Sequence, residues 1–226
     1  MTTEEKERAA LREKMQSLYL DYVNKQGVKP WTSRHFLEDT DLEEVNFYRV
    51  YAGMKAMQTD IWEGFFDQTI GTLKSEAVYA EYSTYEKLLS FYFTLLEVIK
   101  PNRGYIQACF GGWSARHLMR KKYLESFKDQ FKEYIRDLVE EGKHREEIAS
   151  RMWLDQQYDK ALWYQLIFVM HFWASDDSED FARTDAAIEK AVRFSFDLLA
   201  PNAADSLFDL GRFVLQQWRG SGNEAG

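Results

Sequence analysis

Apolar side chains recur at three-and-four spacing along nearly the whole 226-residue chain, which is the period of a helix and not the alternation of a strand. The first run, Thr3 to Gln26, carries Leu11, Met15, Leu18, Tyr19, Tyr22 and Val23 at that spacing and stops at Gly27, with Pro30 just beyond. A short stretch from Ser33 to Asp39 follows, with Ser33 as its N-cap and Phe36 and Leu37 facing inward. Asp41-Leu42-Glu43-Glu44 has the form of a capping box and opens a helix carrying Val45, Phe47, Tyr48 and Tyr51, which Gly53 ends. From Met54 the runs lengthen: 54–74, 84–100, 114–141, 155–174, 178–199 and 203–218, with a shorter one at 105–110. That makes about nine to ten helices, and 3 prolines with 12 glycines are too few turn formers for an all-β chain. The predicted class is all-α, and the change from short to long helices predicts two parts, a head at 1–53 and a larger bundle at 54–226.

Several function classes are disfavoured by the same reading. A composition 45% hydrophobic and 16% aromatic is that of a packed chain, not a disordered one. The single cysteine, Cys109, excludes an intramolecular disulfide and a cysteine-rich metal site, and points to a reducing compartment; its own role is open. The charged start Met1-Thr2-Thr3-Glu4-Glu5-Lys6 lacks the apolar run of a signal peptide, and the longest apolar stretch, Leu162 to Ala174, is broken by Gln165 and His171. These features predict a cytoplasmic protein with no membrane partner. The only Glu-x-x-His is Glu141-Gly142-Lys143-His144, the four histidines are scattered, and no phosphate loop, nucleophile elbow or Cys/His pair occurs. The expectation is therefore no enzyme, no cofactor and no metal. A net charge of -8 argues against a surface that binds nucleic acid all over, though a local patch on an acidic body can still do so.

Three short helices, the last two joined by a tight turn, have the layout of a helix-turn-helix reader. Gly27 and Tyr48 stand 21 positions apart, Phe47-Tyr48-Arg49-Val50-Tyr51 reads like Leu-Tyr-x-x-Phe, Phe36-Leu37 takes the place of Ile-Ala, and Ala56-Met57 opens the next helix. On these residues the chain resembles the TetR family of transcriptional regulators. The likeness extends to His171-Phe172-Trp173, Asp176-Asp177-Ser178 and Thr184-Asp185, which resemble a junction between the last two bundle helices.

The resemblance implies double-stranded DNA as a partner, with Tyr48 donating its hydroxyl to a phosphate, or else packing the head onto the fourth helix. Arg49 and Asn46 would reach a phosphate and a base edge, or form a solvated face; Lys29 and Arg34 flank the second helix and would touch backbone phosphates. Lys55 stands one position after the family's phosphate-clamping lysine, whose own place is taken by Met54. Across Trp31 to Met57, Arg34, Arg49 and Lys55 face Glu38, Asp39, Asp41, Glu43 and Glu44, a net of -2. The family also implies a body cavity for an unknown small apolar or aromatic ligand. The candidates for lining it are Tyr92, Tyr105, Trp113, Tyr123, Trp163 and Phe168, with His117 and His171 as polar groups. A homodimer is implied through the helices at 155–174 and 178–199, by way of Leu166, Met170, Ile188, Val192 and Ser195. The expected function is a ligand-responsive repressor; the alternative is a TetR-like protein that has lost DNA binding and acts as a lipid-, small-molecule- or protein-binding module.

Overall fold

The computed structural model describes residues 2–38, 40–110, 121–149 and 158–199. Nine α-helices form among them: α1 Thr3–Gln26, α2 Ser33–Leu37, α3 Glu44–Val50, α4 Met54–Ser75, α5 Thr84–Ile99, α6 Arg103–Phe110, α7 Glu125–His144, α8 Tyr158–Ser175 and α9 Ala182–Leu199. Single 3-10 turns sit at Tyr79–Glu81, Lys100–Asn102, Lys122–Leu124 and Glu179–Phe181. The chain is all-helical as its periodicity predicts. The expected run at 203–218 and the start of the run at 114–141 lie outside the described residues. No described helix is long and apolar enough to cross a membrane.

Local chemistry explains where the head helices begin and end. The Thr2 hydroxyl accepts the Glu5 N–H at 3.2 Å while the Glu5 carboxylate accepts the Thr2 N–H at 2.6 Å, so α1 starts on a reciprocal cap. Gly27 closes α1 in the left-handed region, φ 70°, where a side chain would be strained. Two expected caps fall differently. Thr32, not Ser33, caps α2, its hydroxyl accepting the His35 N–H at 3.1 Å. The Asp41 capping box does not form. Thr40 instead accepts the Leu42 N–H at 3.3 Å and donates to the Leu37 carbonyl at 3.1 Å, and α3 begins only after Glu43, which makes no capping bond.

Two polar ties fix the head. Asp60 on α4 accepts the Arg12 guanidinium, the Gln16 amide at 2.6 Å and the Tyr51 hydroxyl at 2.5 Å, joining α1, the end of α3 and α4. Asn24, near the end of α1, reaches the start of α6. Its Oδ1 accepts the Tyr105 N–H at 2.8 Å and its Nδ2 donates to Asn102 at 3.1 Å. This caps an orphan donor of α6 from another helix. A Cβ on Gly104 would lie 2.9 Å from the Asn24 backbone, so only glycine allows this approach.

Below the head one apolar core runs through α1, α4, α5, α6, α7, α8 and α9. Its centre is aromatic: Trp62 packs on Phe110 and Phe127, and Phe127 and Phe131 pack on Trp163. Gln165 of α8 is the polar peg in this core. It accepts the Tyr92 hydroxyl of α5 at 3.0 Å and donates to the Ala191 carbonyl at 2.6 Å and the Ser195 hydroxyl at 2.8 Å on α9. The α8–α9 turn is organised by buried Asp176, whose carboxylate accepts both the N–H and the hydroxyl of Ser178 and of Thr184, at 2.6–2.9 Å.

Burial opposes charge on Asp176, but the bonds from Thr184 and Ser178 outweigh it and hold the carboxyl well below the usual carboxylate range. A carboxyl depressed in the folded state stabilises fully above its unfolded pKa of about 3.9 and loses that contribution as pH falls through the folded value. Asp176→Asn should therefore lower unfolding free energy by about 1–3 kcal/mol at neutral pH. In denaturant melts the gap to the wild type should narrow steadily below about pH 4.

Candidate functional site

The outer surface of the head is set by α2 and α3. Tyr48 is 53% exposed, its hydroxyl 3.0 Å from that of Ser33 on α2. Arg34, Arg49 and Lys55 are exposed and Asn46 is partly buried. It is Tyr51, three residues on, that binds the head to α4. Around them stand the exposed carboxylates Glu38, Asp41, Glu43 and Glu44, together with the exposed apolar Val45 and Trp31. Lys29 does not join this surface. Its ammonium turns inward, donating to the Tyr123 hydroxyl at 3.1 Å and lying 3.8 Å from Cys109 Sγ and 4.7 Å from the centre of the Tyr123 ring. A lysine held by the Tyr123 phenol beside Cys109 is a link between the α1–α2 loop and the body, and no spacing in the sequence signals that direction. Burial pushes the Cys109 thiol up, so it stays protonated beside that lysine.

In the body, Tyr92, Tyr105, Tyr123 and Trp163 are buried in the packed core. The Tyr105 ring meets Tyr19, Trp62 and Phe65. Phe168 is 53% exposed and His171 partly so; Trp113 and His117 lie outside the described residues. A cavity of about 400 Å³ opens elsewhere, between α4, α5, α7 and the turn at Tyr79. Phe66, Ile70 and Leu138 supply its apolar lining, and Lys74, Gln130, Glu133 and Asp137 also face it. The remaining wall is a linked set: the Tyr79 and Tyr134 hydroxyls are 3.1 Å apart, and Tyr134 donates to the Lys87 carbonyl at 3.1 Å. Lys87, 7% exposed, donates to both Glu141 oxygens at 2.6 and 2.7 Å and lies 5.5 Å from the centre of the Tyr79 ring. Arg145 reaches the same carboxylate at 2.6 Å. Burial pushes both the Tyr79 and Tyr134 phenols up, so both remain neutral donors. These residues form no motif in the sequence. The one available signal was the four-residue spacing of Glu133, Asp137 and Glu141, which aligns them on one face of α7.

The proposed interface residues also take a different place. Leu166, Met170, Ile188 and Val192 are fully buried within the protomer, and Ser195 is engaged by Gln165. The outward faces of α8 and α9 carry Tyr164, Phe168 and Phe194 instead, 51%, 53% and 63% exposed, with Phe172 packed 6.0 Å from Phe168.

Residues 87–214, more than half of the chain, match the family profile described as tetracyclin repressor-like, C-terminal domain. The chain belongs to the TetR family. A crystal structure assigned to a TetR-family transcriptional regulator from Syntrophomonas wolfei aligns with a TM-score of 0.65 at 18% identity, covering 86% of this chain and 96% of that one. At that identity the likeness bears on the fold. No curated protein matches the chain in sequence. Within this TetR-family chain the Asp176, Ser178 and Thr184 positions noted in the sequence form the hydrogen-bonded α8–α9 turn, and much of the cavity wall, from Lys87 onward, falls in the matched region.

The buried cation of the cavity wall yields a stability test. Glu141→Gln leaves the Lys87 ammonium without its carboxylate, and should cost about 2–4 kcal/mol, discounted from a fully buried pair because Glu141 is 32% exposed. Lys87→Met removes the buried charge and leaves Glu141 with Arg145, and should cost about 1 kcal/mol or less. Chemical denaturation of the two variants measures this ordering.

Proposed function

We propose that this TetR-family protein is a transcriptional regulator, a homodimeric repressor. Its head at 1–53 docks on DNA, and its body at 54–226 releases the head when a small organic molecule enters the cavity. The observation that carries the reading is the exposed face of α3, where Tyr48 and Arg49 stand beside Ser33 and Arg34 at the start of α2, on a head tied to α4. The ligand would act because α4 begins at Met54, with three residues between it and the end of α3, and lines the cavity with Phe66, Ile70 and Lys74. A ligand that binds better to one tilt of α4 shifts the population of heads spaced for DNA, and unequal affinity for the two states is required. Regulation, not catalysis, is the role proposed, in the cytoplasm and without a membrane partner.

A second reading is favoured by the charge of the head. Four carboxylates are exposed around Tyr48, Lys29 is withdrawn, and Met54 stands where a cation would meet phosphate. On this reading the head has given up DNA and binds another protein. Fluorescence anisotropy on a long duplex at low and moderate salt separates the two. For the repressor, Met54→Lys should tighten binding several-fold and steepen the logarithmic salt dependence by about 0.9, one phosphate's worth. If neither wild type nor Met54→Lys binds at low salt, the protein-binding module is the reading that survives.

The homodimer is supported by the aromatic residues that α8 and α9 expose, since monomers seldom present such a patch to water. Phe168→Glu should give a monomer in sedimentation velocity with its helical content and melting temperature little changed. Leu166→Glu, which places a charge in the protomer's own core, should instead unfold the chain. A Phe168→Glu variant that remains dimeric would place the interface elsewhere.

A further inference from the structure

We propose that Val45 on α3 reads the 5-methyl group of a thymine in the major groove, so that the DNA this head selects carries a thymine at a fixed place in each half-site. The proposal rests on the repressor reading of the head. Phe47, fully buried in the core, fixes the roll of α3. Val45 and Arg49 each stand two residues from Phe47, about 160° round the helix from it. Both are exposed, Val45 at 61%. They are the side chains of α3 that point most directly away from the head. Tyr48 stands to one side with its hydroxyl on Ser33, and Asn46, partly buried, stands to the other.

An outward aliphatic side chain on a helix laid in the major groove meets base edges made mainly of hydrogen-bond donors and acceptors. The thymine methyl is the apolar group those edges present. Over a purine edge, the Val45 isopropyl group would cover acceptors without satisfying them, which costs affinity. Val45 itself lies outside the protein's core, so its contact area is free for DNA. The charge around it gives base contacts more weight. Glu38, Asp41, Glu43 and Glu44 are exposed and Lys29 is turned inward, which leaves few cations for phosphate. Phosphate contacts position a protein on a duplex, whereas base contacts specify the sequence. A head with so little sequence-independent attraction draws its affinity from the base edges that α3 touches.

Selection from random duplex DNA with the full-length protein supplies the probe. Each thymine of the recovered duplex is then replaced in turn by deoxyuridine, which pairs identically and lacks only the methyl, and binding is measured by fluorescence anisotropy. One such replacement should weaken the wild type by about fourfold, the loss expected for one buried methyl. Val45→Ala, which leaves the core intact, should keep its melting temperature and bind the thymine and deoxyuridine duplexes within about twofold of each other. A wild type that binds every deoxyuridine duplex as tightly as the thymine one overturns the methyl contact and leaves the repressor reading standing. A Val45→Ala variant that still discriminates as the wild type does has the same consequence. If no duplex is recovered and none binds at low salt, both readings fall and the protein-binding head is what survives.

Discussion

The bond from Asn24 to the first turn of α6 is the constraint on which the rest of this architecture depends. A helix-turn-helix head is small, and its own three helices bury little apolar surface. Here its first helix is 24 residues long, about 36 Å, and its far end lies on the body. Met15, Tyr19 and Val23 belong to the same core as Trp62 and Tyr105, so the head shares a core with the body. Asn24 fixes the angle of that shared helix and Gly104 lets the backbones touch. Lys29 then pins the following loop to Tyr123. The head is thereby joined to both α6 and α4.

Much of this was legible in the sequence, because helical periodicity reports which residues face inward. The inward residues of α1, Gly27 as its terminator, Gly53 as the break before α4, and the 21-residue step from Gly27 to Tyr48 all follow from local rules and family spacing. What periodicity does not report is the identity of the opposing surface. Helix α8 is apolar almost all round, so Leu166 and Met170, which face the protomer's own core, and Phe168, which faces outward, look alike in one dimension. The same blindness affected the aromatic cluster. A wealth of Tyr and Trp suggested a cavity around Tyr92, Tyr105, Tyr123 and Trp163, but rings that interlock edge to face fill space as completely as aliphatic side chains do. The cavity lies instead between α4, α5 and α7, lined by Lys74, Glu133 and Asp137 as well as by apolar residues.

Charge tells a less uniform story than fold. Family membership rests on the body, whereas any hold on DNA would rest on a few side chains of the head, and the two are under separate physical control. Withdrawing Lys29 into the Tyr123 and Cys109 cluster strengthens the joint between head and body at the expense of the cations left outside. One residue thus serves mechanical coupling at a cost in electrostatic reach, and the acidic tip of α3 adds to that cost.

Gln165 has a geometric consequence beyond its own hydrogen bonds. By grasping the Ala191 carbonyl and the Ser195 hydroxyl while receiving Tyr92, it locks α8 and α9 in one axial register and admits no smooth sliding between them. The alternative register nearest to hand is a full helical turn away, about 5.4 Å. Three bonds from one side chain thus join α5, α8 and α9 into a single unit, and any change in their mutual register breaks all three together.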